Sequence, residues 1–324
     1  MDMTHENFLP HQEALERPVF IVGPLRSGST LLRLLMDQHP DTNVFGEFEG
    51  AVSQAHGDQW PTMPSYWHFV NSDRQTRALD LEIDQSLDYP ALVRDFLRQL
   101  HQRKPRRLIG ASVHSRIDLL PKIWPKARYI NLMRDPRDVA KSCIGMGWAG
   151  NTYEGAYFWQ KVERHRAALN AQVPGSQRLE VRYEDLVSNP EATLSRICDF
   201  LEINFDPKML EIEGHTSYSC PSAKYANQWQ GKMSERDIRW VELRLGGQIE
   251  AAGYVRHKPA HSSLSTSERI HIFVQNRVYK ARYQIKKWGF GLWAQYILAR
   301  KLRIQGWQDR AREKTNAIDI QYLK

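Results

Sequence analysis

Two glycines and two hydroxyl residues form the most informative pattern in this chain. Gly23 is followed after four residues by Gly28, and Ser29 and Thr30 come next. This is the Walker A spacing, except that Ser29 stands where a nucleoside triphosphate enzyme keeps the lysine that reaches the outer phosphates. The loop backbone and the following helix N-terminus can still bind an anion, and Arg26 adds a positive charge. The pattern predicts a site for a phosphate-like group other than the terminal phosphates of a triphosphate.

A second cluster of charged residues follows another apolar segment. Residues 129–133 read as a strand, and Arg134 and Asp135 come directly after it. Because ligands bind at the C-terminal ends of strands in an open parallel sheet, we expect Arg134 to bind a second phosphate. Ser142, on the helix that Pro136 begins, is expected to add a hydroxyl. A surface charge cluster at a helix start is the alternative interpretation.

Strands alternate with helices along most of the chain, which predicts an α/β fold with a central parallel sheet flanked by helices. The first strand and helix are expected within residues 18–38. Further strands are expected at 107–113, 128–133 and 178–182. Further helices are expected at 90–103, 115–123, 136–146, 152–170, 190–202, 206–212 and 234–252.

Three segments together resemble the sulfotransferases that use 3′-phosphoadenosine 5′-phosphosulfate (PAPS). Residues 26–30 (Arg-Ser-Gly-Ser-Thr) are similar to the 5′-phosphosulfate loop of that family. Residues 134–142 (Arg-Asp-Pro-Arg-Asp-Val-Ala-Lys-Ser) are similar to its 3′-phosphate motif, and residues 182–186 to its Tyr-Glu-Asp-Leu segment. The resemblance covers about residues 18–255. An arginine at the start of the loop is similar to the tyrosylprotein, carbohydrate and many bacterial members, whereas the cytosolic small-molecule branch has lysine there.

The resemblance implies a P-loop-like three-layer fold and transfer of the sulfuryl group from PAPS to a hydroxyl of a glycan, a lipid or another natural product. Attacking and leaving oxygens lie in line in such a transfer, and no metal is required. Arg26 would offset the negative charge that grows on the bridging oxygen. For Trp229, the alternative to a contact with PAPS is that it packs a lid against the core. The positions implied to bind PAPS are Arg26, Ser27, Gly28, Ser29, Thr30, Leu31, Arg134, Ser142, Tyr183, Trp229 and Lys232.

Two residues are candidates for the general base that the acceptor hydroxyl needs. Glu47 follows a His-Pro-Asp segment, as the proposed base does in the tyrosylprotein and carbohydrate branches. His114 lies in a stretch similar to the Lys-Thr-His segment of the cytosolic branch, although Ser112 replaces its lysine. A histidine titrates near neutral pH without tuning, whereas the pKa of a glutamate must be raised by burial. We favour Glu47 because the arginine-type loop belongs to its branch, and the other residue is then structural.

Residues 50–78 show no clear period and are rich in aromatic side chains, among them Trp60, Tyr66 and Trp67. A long segment of this kind is often a functional loop, so we expect an irregular wall of the acceptor site. The alternative is an aromatic satellite of the hydrophobic core.

The basic charge of the chain is concentrated in its tail. Residues 260–324 contain thirteen Lys and Arg against four Asp and Glu, a net charge of +9, whereas the whole chain carries +8. A basic amphipathic segment with tryptophan suits an anionic membrane surface, so we expect residues 262–324 to make a peripheral membrane contact. A helix packed on the catalytic domain, an oligomer arm and a grip on an anionic polymer acceptor are alternatives. The apolar residues expected on one helical stripe are Ile285, Trp288, Leu292, Tyr296 and Ala299.

Length and composition fit one large globular domain with additions, since 41% of the 324 residues are hydrophobic. We expect an N-terminal extension at 1–17, a sulfotransferase domain at 18–258 and a basic helical extension at 259–324. The start lacks the basic and apolar regions of a signal peptide, and no stretch approaches the roughly 20 apolar residues of a membrane span. The three cysteines read as reduced thiols. These features predict a cytoplasmic bacterial protein, peripheral at the inner face of the membrane, without a nucleic-acid partner and open to homo-oligomerisation.

Two other functions stay open as alternatives. The first is a P-loop nucleotide kinase or NTPase, against which Ser29 replaces the Walker lysine and Met133 is followed by Arg134 instead of a clear magnesium-binding aspartate. The second is a catalytically silent nucleotide-binding adaptor at a membrane surface.

Overall fold

Five parallel strands form one sheet in the computed structural model of this protein, which describes residues 8–212, 220–257 and 263–320. The strand order is β2-β3-β1-β4-β5, and the neighbouring pairs are parallel. The strands are β1 (Val19–Val22), β2 (Thr42–Glu47), β3 (Leu108–Val113), β4 (Arg128–Met133) and β5 (Arg178–Arg182). The buried strand β1 therefore lies at the centre of the sheet, between β3 and β4.

Helices make up most of the remaining structure. In chain order they are α1 (Phe8–Glu16), α2 (Ser29–Asp37), α3 (Met63–Ser72), α4 (Arg74–Ala78), α5 (Tyr89–Arg103), α6 (Leu120–Ile123), α7 (Pro136–Gly145), α8 (Thr152–Gln172), α9 (Tyr183–Ser188), α10 (Pro190–Leu201), α11 (Trp229–Lys232), α12 (Glu235–Leu245), α13 (Gln248–Ala251), α14 (Thr266–Trp288), α15 (Phe290–Leu302) and α16 (Gln305–Ile320). Short 3₁₀ turns lie at Glu49–Ala51, Ile117–Leu119, Gly175–Gln177, Pro207–Leu210 and Ala223–Tyr225.

The two faces of β1 are buried in two different apolar clusters. Val19 and Ile21 pack in a cluster with side chains of α2, α9 and α10. Phe20 and Val22 pack in another, with side chains of α1, α5 and α8. Because successive strand residues point to opposite faces, helices must cover both sides of the sheet. The predicted α/β fold with a flanked parallel sheet is confirmed.

Three details of the predicted elements are wrong. The strand Thr42–Glu47 was not expected, since Asn43 and Gly46 are poor strand formers. The segment 50–78 is not irregular, because it contains α3 and α4, and its role as a wall of the acceptor site stays a prediction. Its aromatic rings pack in the hydrophobic core, as the alternative interpretation predicts. Tyr66 is buried, and its ring centroid lies 4.5 Å from that of Tyr89. Residues 207–210 form a 3₁₀ turn where a longer helix was expected.

The predicted apolar stripe of the tail is also wrong. Gly289, with φ of +81°, separates α14 from α15, so the five residues do not share one helix. The rings of Trp288 and Tyr296 pack on each other, with their centroids 5.3 Å apart, and Ala299 is buried. No helix in the described part of the chain combines the length and apolar composition needed to cross a membrane.

The chain divides into two compact units. The first comprises residues 1–135 and 159–230 and contains the whole sheet, and the second comprises residues 136–158 and 231–324. Residues 1–7 of the expected N-terminal extension, and residues 258–262 and 321–324 of the expected tail, lie outside the described residues. The domain limits expected from the sequence stay a prediction.

A buried ion pair joins α7 to α12 within the second unit. Arg137 is 2% exposed, and its Nη1 donates to Oε1 of Glu242 at 3.1 Å, whose side chain is 7% exposed. Replacing Glu242 by alanine should lower the free energy of unfolding by about 3–5 kcal/mol, because it leaves a buried guanidinium without its carboxylate. Urea denaturation measures this loss. Glu16→Ala, which removes the exposed ion pair with Lys126, is the matched control and should cost about 0–1 kcal/mol. Equal losses in both variants would contradict the argument.

Candidate functional site

The loop after β1 needs glycine at two positions. Gly23 has φ of +151°, and a Cβ there would lie 2.1 Å from the carbonyl oxygen of Leu132. Gly28 has φ of +94°, and a Cβ there would lie 2.4 Å from the ring of Tyr183. L side chains rarely adopt such backbone conformations, and both contacts are too short for any real Cβ atom. The glycine spacing read from the sequence is thus a geometric requirement of this turn.

The same loop presents polar groups at the start of α2. Gly28 is the N-cap residue and offers no side chain to the first N–H groups of the helix. Ser27 is 1% exposed, and within the described part of the chain its Oγ has no hydrogen-bond partner. Buried hydroxyls are normally paired, so this one is suited to a ligand oxygen. These groups fit the phosphosulfate end of PAPS.

Arg134, at the end of β4, contacts this loop directly. Its Nη1 donates to the carbonyl oxygen of Arg26 at 3.1 Å, and its guanidinium carbon lies 4.2 Å from the ring centroid of Tyr183. Tyr183 therefore contacts both Gly28 and Arg134. Arg26 itself has φ of +70°, a strained conformation for a residue with a side chain and one that is often found at functional sites. Arg134 and the loop, inferred separately from the sequence, therefore lie side by side at the carboxyl ends of β4 and β1.

Two residues without a role in the sequence analysis hold the backbone around Arg134. The indole N–H of Trp159 donates to the carbonyl oxygen of Arg134 at 3.1 Å. The backbone N–H of Asp135 donates to Oε1 of Glu184 at 2.9 Å. Burial raises the pKa of the Glu184 carboxyl above its ordinary value. The sequence could have indicated Glu184, because it lies in the segment similar to the Tyr-Glu-Asp-Leu motif. No sequence pattern indicated Trp159.

His114 links β3 to the phosphate loop. Its Nδ1 donates to the carbonyl oxygen of Gly23 at 2.8 Å, and its Nε2 is hydrogen-bonded to Oγ of Ser29 at 3.2 Å. The side chain is buried. Both ring nitrogens thus have partners within the loop, an arrangement that positions Ser29 and the backbone of Gly23.

Glu49 supports His114, and the sequence analysis missed it. One carboxylate oxygen accepts from the backbone N–H of His114 and the other from Oγ of Ser115. Burial raises the pKa of the Glu49 carboxyl, against the opposing effects of His114 and Ser115, and the charge of Glu47 raises it further. The sequence held no signal for this role, because the strand that precedes Glu49 was itself not expected.

The raised pKa of Glu49 makes part of the stability depend on pH. Its folded-state pKa lies above the unfolded value near 4.5, so the folded state binds the proton more tightly. This contribution is present at low pH and is lost as the pH rises through the folded-state pKa. We therefore expect the stability of the wild type, relative to Glu49→Gln, to fall as the pH rises, as measured by urea denaturation over a pH series. Glu268→Gln is the control of opposite sign, since the hydrogen bond from Arg239 lowers the pKa of Glu268 to about 2. A flat difference between wild type and Glu49→Gln would contradict the assignment.

Glu47, the favoured base, ends strand β2 and is exposed. Nε2 of Gln75 donates to one of its carboxylate oxygens, a contact for which the sequence held no signal. Glu47 pairs in register with Ser112, two residues before His114 on β3. The two candidate bases therefore lie at the same ends of neighbouring strands, but they differ in environment. Glu47 is open to solvent, whereas His114 is enclosed.

The remaining predicted site residues have more varied positions. The side chain of Leu31 is buried in the apolar core, so only its backbone faces the loop. Thr30 lies in the first turn of α2, and Trp229 is buried at the start of α11. Ser142, on α7, and Lys232, at the exposed end of α11, belong to the second unit. Their roles toward PAPS stay predictions. Among the described residues, no group of three or more His, Cys, Asp or Glu side chains is arranged to hold a metal ion.

The comparison with known protein families decides to which family this chain belongs. A profile of the sulfotransferase family matches residues 18–207, which is more than half of the chain. The chain belongs to the sulfotransferase family. The resemblance inferred from the two anion-binding motifs is thereby confirmed, and the matched residues contain β1 to β5, the loop and Arg134.

Individual sulfotransferases are similar to this chain over part of their length. Protein-tyrosine sulfotransferase A of Caenorhabditis elegans is 27% identical, over 60% of this chain and 52% of that protein. The omega-hydroxy-beta-dihydromenaquinone-9 sulfotransferase Stf3 of Mycobacterium tuberculosis is 26% identical, over 52% of this chain and 47% of that protein. The chain thus spans about half the length of these curated relatives.

A solved structure agrees in fold. The sulfotransferase domain from the curacin biosynthetic pathway is 22% identical, with a TM-score of 0.50. The likeness covers 74% of this chain and 98% of that domain. The two proteins thus share the P-loop-like three-layer fold that was expected from the sequence.

Proposed function

We propose that this sulfotransferase moves the sulfuryl group of PAPS to the hydroxyl of an acceptor by in-line displacement. The observation that carries the proposal is the hydrogen bond from Nη1 of Arg134 to the carbonyl oxygen of Arg26. PAPS has a phosphosulfate at one end of its adenosine and a phosphate on the 3′ oxygen, so it needs two neighbouring anion sites. The loop and Arg134 offer such a pair. An NTPase is less consistent with the site, because the hydroxyl of Ser29 bonds His114 where a Walker lysine would bind phosphate.

Each candidate residue has a proposed role in this reaction. The loop Arg26–Ser27–Gly28–Ser29–Thr30 and the backbone of Leu31 bind the phosphosulfate through N–H groups at the helix N-terminus. Arg134 binds the 3′-phosphate, with Ser142 and Lys232 as further donors. Tyr183 positions Arg134, and Trp229 contributes to the adenine side of the site. Arg26 stabilises the charge on the departing bridging oxygen.

We propose Glu47 as the general base and His114 as a positioning residue. Both nitrogens of His114 already have partners in the loop, so accepting a substrate proton would require breaking its bond with Ser29. The carboxylate of Glu47 is exposed and needs no such rearrangement, and the acceptor that covers it on binding would supply the burial that a glutamate base requires. Gln75 can hold it in place while it accepts the proton.

The acceptor class and the cellular setting are also proposals. Tyrosine in a protein and an omega-hydroxylated dihydromenaquinone are the acceptors named for two relatives, and both carry a hydroxyl group. We propose a hydroxyl-bearing glycan, lipid or other natural product as the acceptor here. A bacterial, cytoplasmic setting is part of this proposal, and the mycobacterial relative supports its bacterial part.

Two measurements test the function. Adenosine 3′,5′-bisphosphate (PAP) should raise the melting temperature in the presence of EDTA, whereas stabilisation only by ATP with Mg²⁺ would favour the NTPase alternative. Radiolabelled PAPS should then label a panel that includes a tyrosine peptide, a primary-alcohol lipid and an oligosaccharide. PAP binding without transfer to any of these acceptors or to a cell extract would favour the silent adaptor.

The role of Arg134 predicts a loss that depends on the 3′-phosphate. Arg134→Gln should weaken PAP binding by about 10- to 100-fold, because a charge-assisted hydrogen bond is worth about 1.5–3 kcal/mol. Binding of adenosine 5′-phosphosulfate, which lacks the 3′-phosphate, should change little. Isothermal titration calorimetry with both nucleotides measures the difference. Equal losses would mean that the variant instead disturbs the loop through Arg26.

A further inference from the structure

The outer side of α14 carries an exposed apolar stripe. Ile270, Phe273, Val274 and Val278 recur at helical spacing, and they are 59%, 60%, 50% and 43% exposed. We call these four residues the outer face of α14. Large apolar side chains in such a contiguous exposed row are uncommon on a soluble monomer and mark an interaction site.

The opposite side of α14 is occupied within the second unit. Ile272 is buried, and its carbonyl oxygen accepts from Nδ2 of Asn151 at 2.8 Å. Oδ1 of Asn276 accepts from the backbone N–H of Gly150 at 2.7 Å, and the hydroxyl of Tyr279 donates to the carbonyl oxygen of Ile144 at 3.2 Å. The helix is therefore anchored by its inner side, and its outer face is presented rigidly.

Exposed arginines border the outer face. Arg269 and Arg282 fall on either side of the stripe by helical periodicity, and Arg277 lies beside Phe273, with its guanidinium carbon 5.1 Å from the ring centroid. The acidic residue of α14, Glu268, is paired with Arg239 at 2.5 Å. Arginines beside an apolar row can keep their charged ends in a polar layer while their stems follow the apolar side chains.

We propose that the outer face of α14 docks on the surface of an anionic lipid bilayer. The apolar side chains enter the boundary between headgroups and acyl chains, and the arginines bind the headgroup phosphates. A second copy of the chain is a poorer occupant, because residues 260–324 carry a net charge of +9 and would repel each other. A nucleic acid would pair with the arginines but leave the four apolar residues against a polar backbone. The docking surface is independent of the proposed sulfuryl transfer, and it replaces the stripe expected at residues 285–299.

Vesicle flotation with the full chain tests the proposal. The wild type should float with vesicles of phosphatidylcholine and phosphatidylglycerol, bind pure phosphatidylcholine far more weakly, and dissociate as salt is raised. Point variants are preferable to a tail deletion, because a deletion would remove the buried Ile272. Phe273→Glu should abolish flotation, whereas Val255→Glu, at an 83% exposed position outside α14, is the matched control and should float as the wild type does.

The arginines are tested by a pair of double variants. Arg269→Gln with Arg282→Gln should lower the partition coefficient on the anionic vesicles by about 25-fold, since each basic residue near such a surface contributes a few-fold. Arg310→Gln with Arg312→Gln removes the same charge from exposed positions of α16 and should have a clearly smaller effect. Unchanged melting temperatures establish that the variants fold.

Three outcomes would overturn the proposal. The first is a wild type that does not float with the anionic vesicles, and the second is undiminished flotation of Phe273→Glu. The third is a wild-type dimer, seen by sedimentation, that Phe273→Glu converts to a monomer, which would assign the outer face to a second copy of the chain.

Discussion

Replacing Glu47 by glutamine is expected to lower kcat for sulfuryl transfer about 10²- to 10⁴-fold, the usual contribution of a positioned general base. Glutamine keeps the shape of the side chain, and its amide oxygen can still accept the hydrogen bond from Gln75. PAP affinity should therefore be unchanged, because Glu47 is not among the loop residues that are proposed to bind the nucleotide. Single-turnover transfer to the best acceptor of the panel, with PAP titration in parallel, measures both quantities.

The matched variant for this prediction is His114→Gln. A positioning role for His114 predicts weaker PAP binding, because the carbonyl of Gly23 and the hydroxyl of Ser29 lose a shared partner. The pattern would be reversed if His114 were the base: His114→Gln would lose turnover with its PAP affinity intact, and Glu47→Gln would remain active. The two variants thus separate the alternatives that the sequence left open.

The phosphate loop was predictable because its backbone geometry requires glycine at fixed positions. A turn with φ above +90° at Gly23 and Gly28 tolerates almost no other residue, so the spacing itself signals the geometry. Arg134 was predictable for a similar reason, since a charged residue directly after a buried strand falls at the ligand-binding edge of a parallel sheet. The structure adds the contact between Arg134 and Arg26, which no one-dimensional pattern contains.

Other parts of the site could not be predicted because they depend on distant pairings. Glu49 has its role only because β2 lies next to β3, and β2 itself was missed. Trp159 reaches the carbonyl of Arg134 from a helix 25 positions later in the chain. The aromatic segment around Tyr66 was misread because tertiary packing against Tyr89, and not a helical period, stabilises it.

Arg26→Gln is expected to lower kcat about 10²- to 10³-fold, which is the typical loss when a group that stabilises developing charge is removed. The φ of +70° at Arg26 is similarly strained for the unbranched side chains of arginine, lysine and glutamine, so the backbone cost stays nearly the same in these variants. The hydrogen bond from Arg134 goes to the backbone carbonyl of residue 26 and survives the substitution. The side-chain charge is therefore the quantity that changes.

Arg26→Lys is the matched control, because it keeps the charge but not the planar guanidinium. If the positive charge stabilises the bridging oxygen, Arg26→Lys should retain more turnover than Arg26→Gln. If two hydrogen bonds from the planar guanidinium are required, both variants should lose turnover equally. PAP lacks the sulfuryl group, so its affinity reports ground-state binding alone. A PAP affinity that falls in Arg26→Gln as far as kcat does would make Arg26 a ground-state ligand. Because an interaction made only in the transition state changes kcat and not product affinity, the comparison decides whether this residue is catalytic.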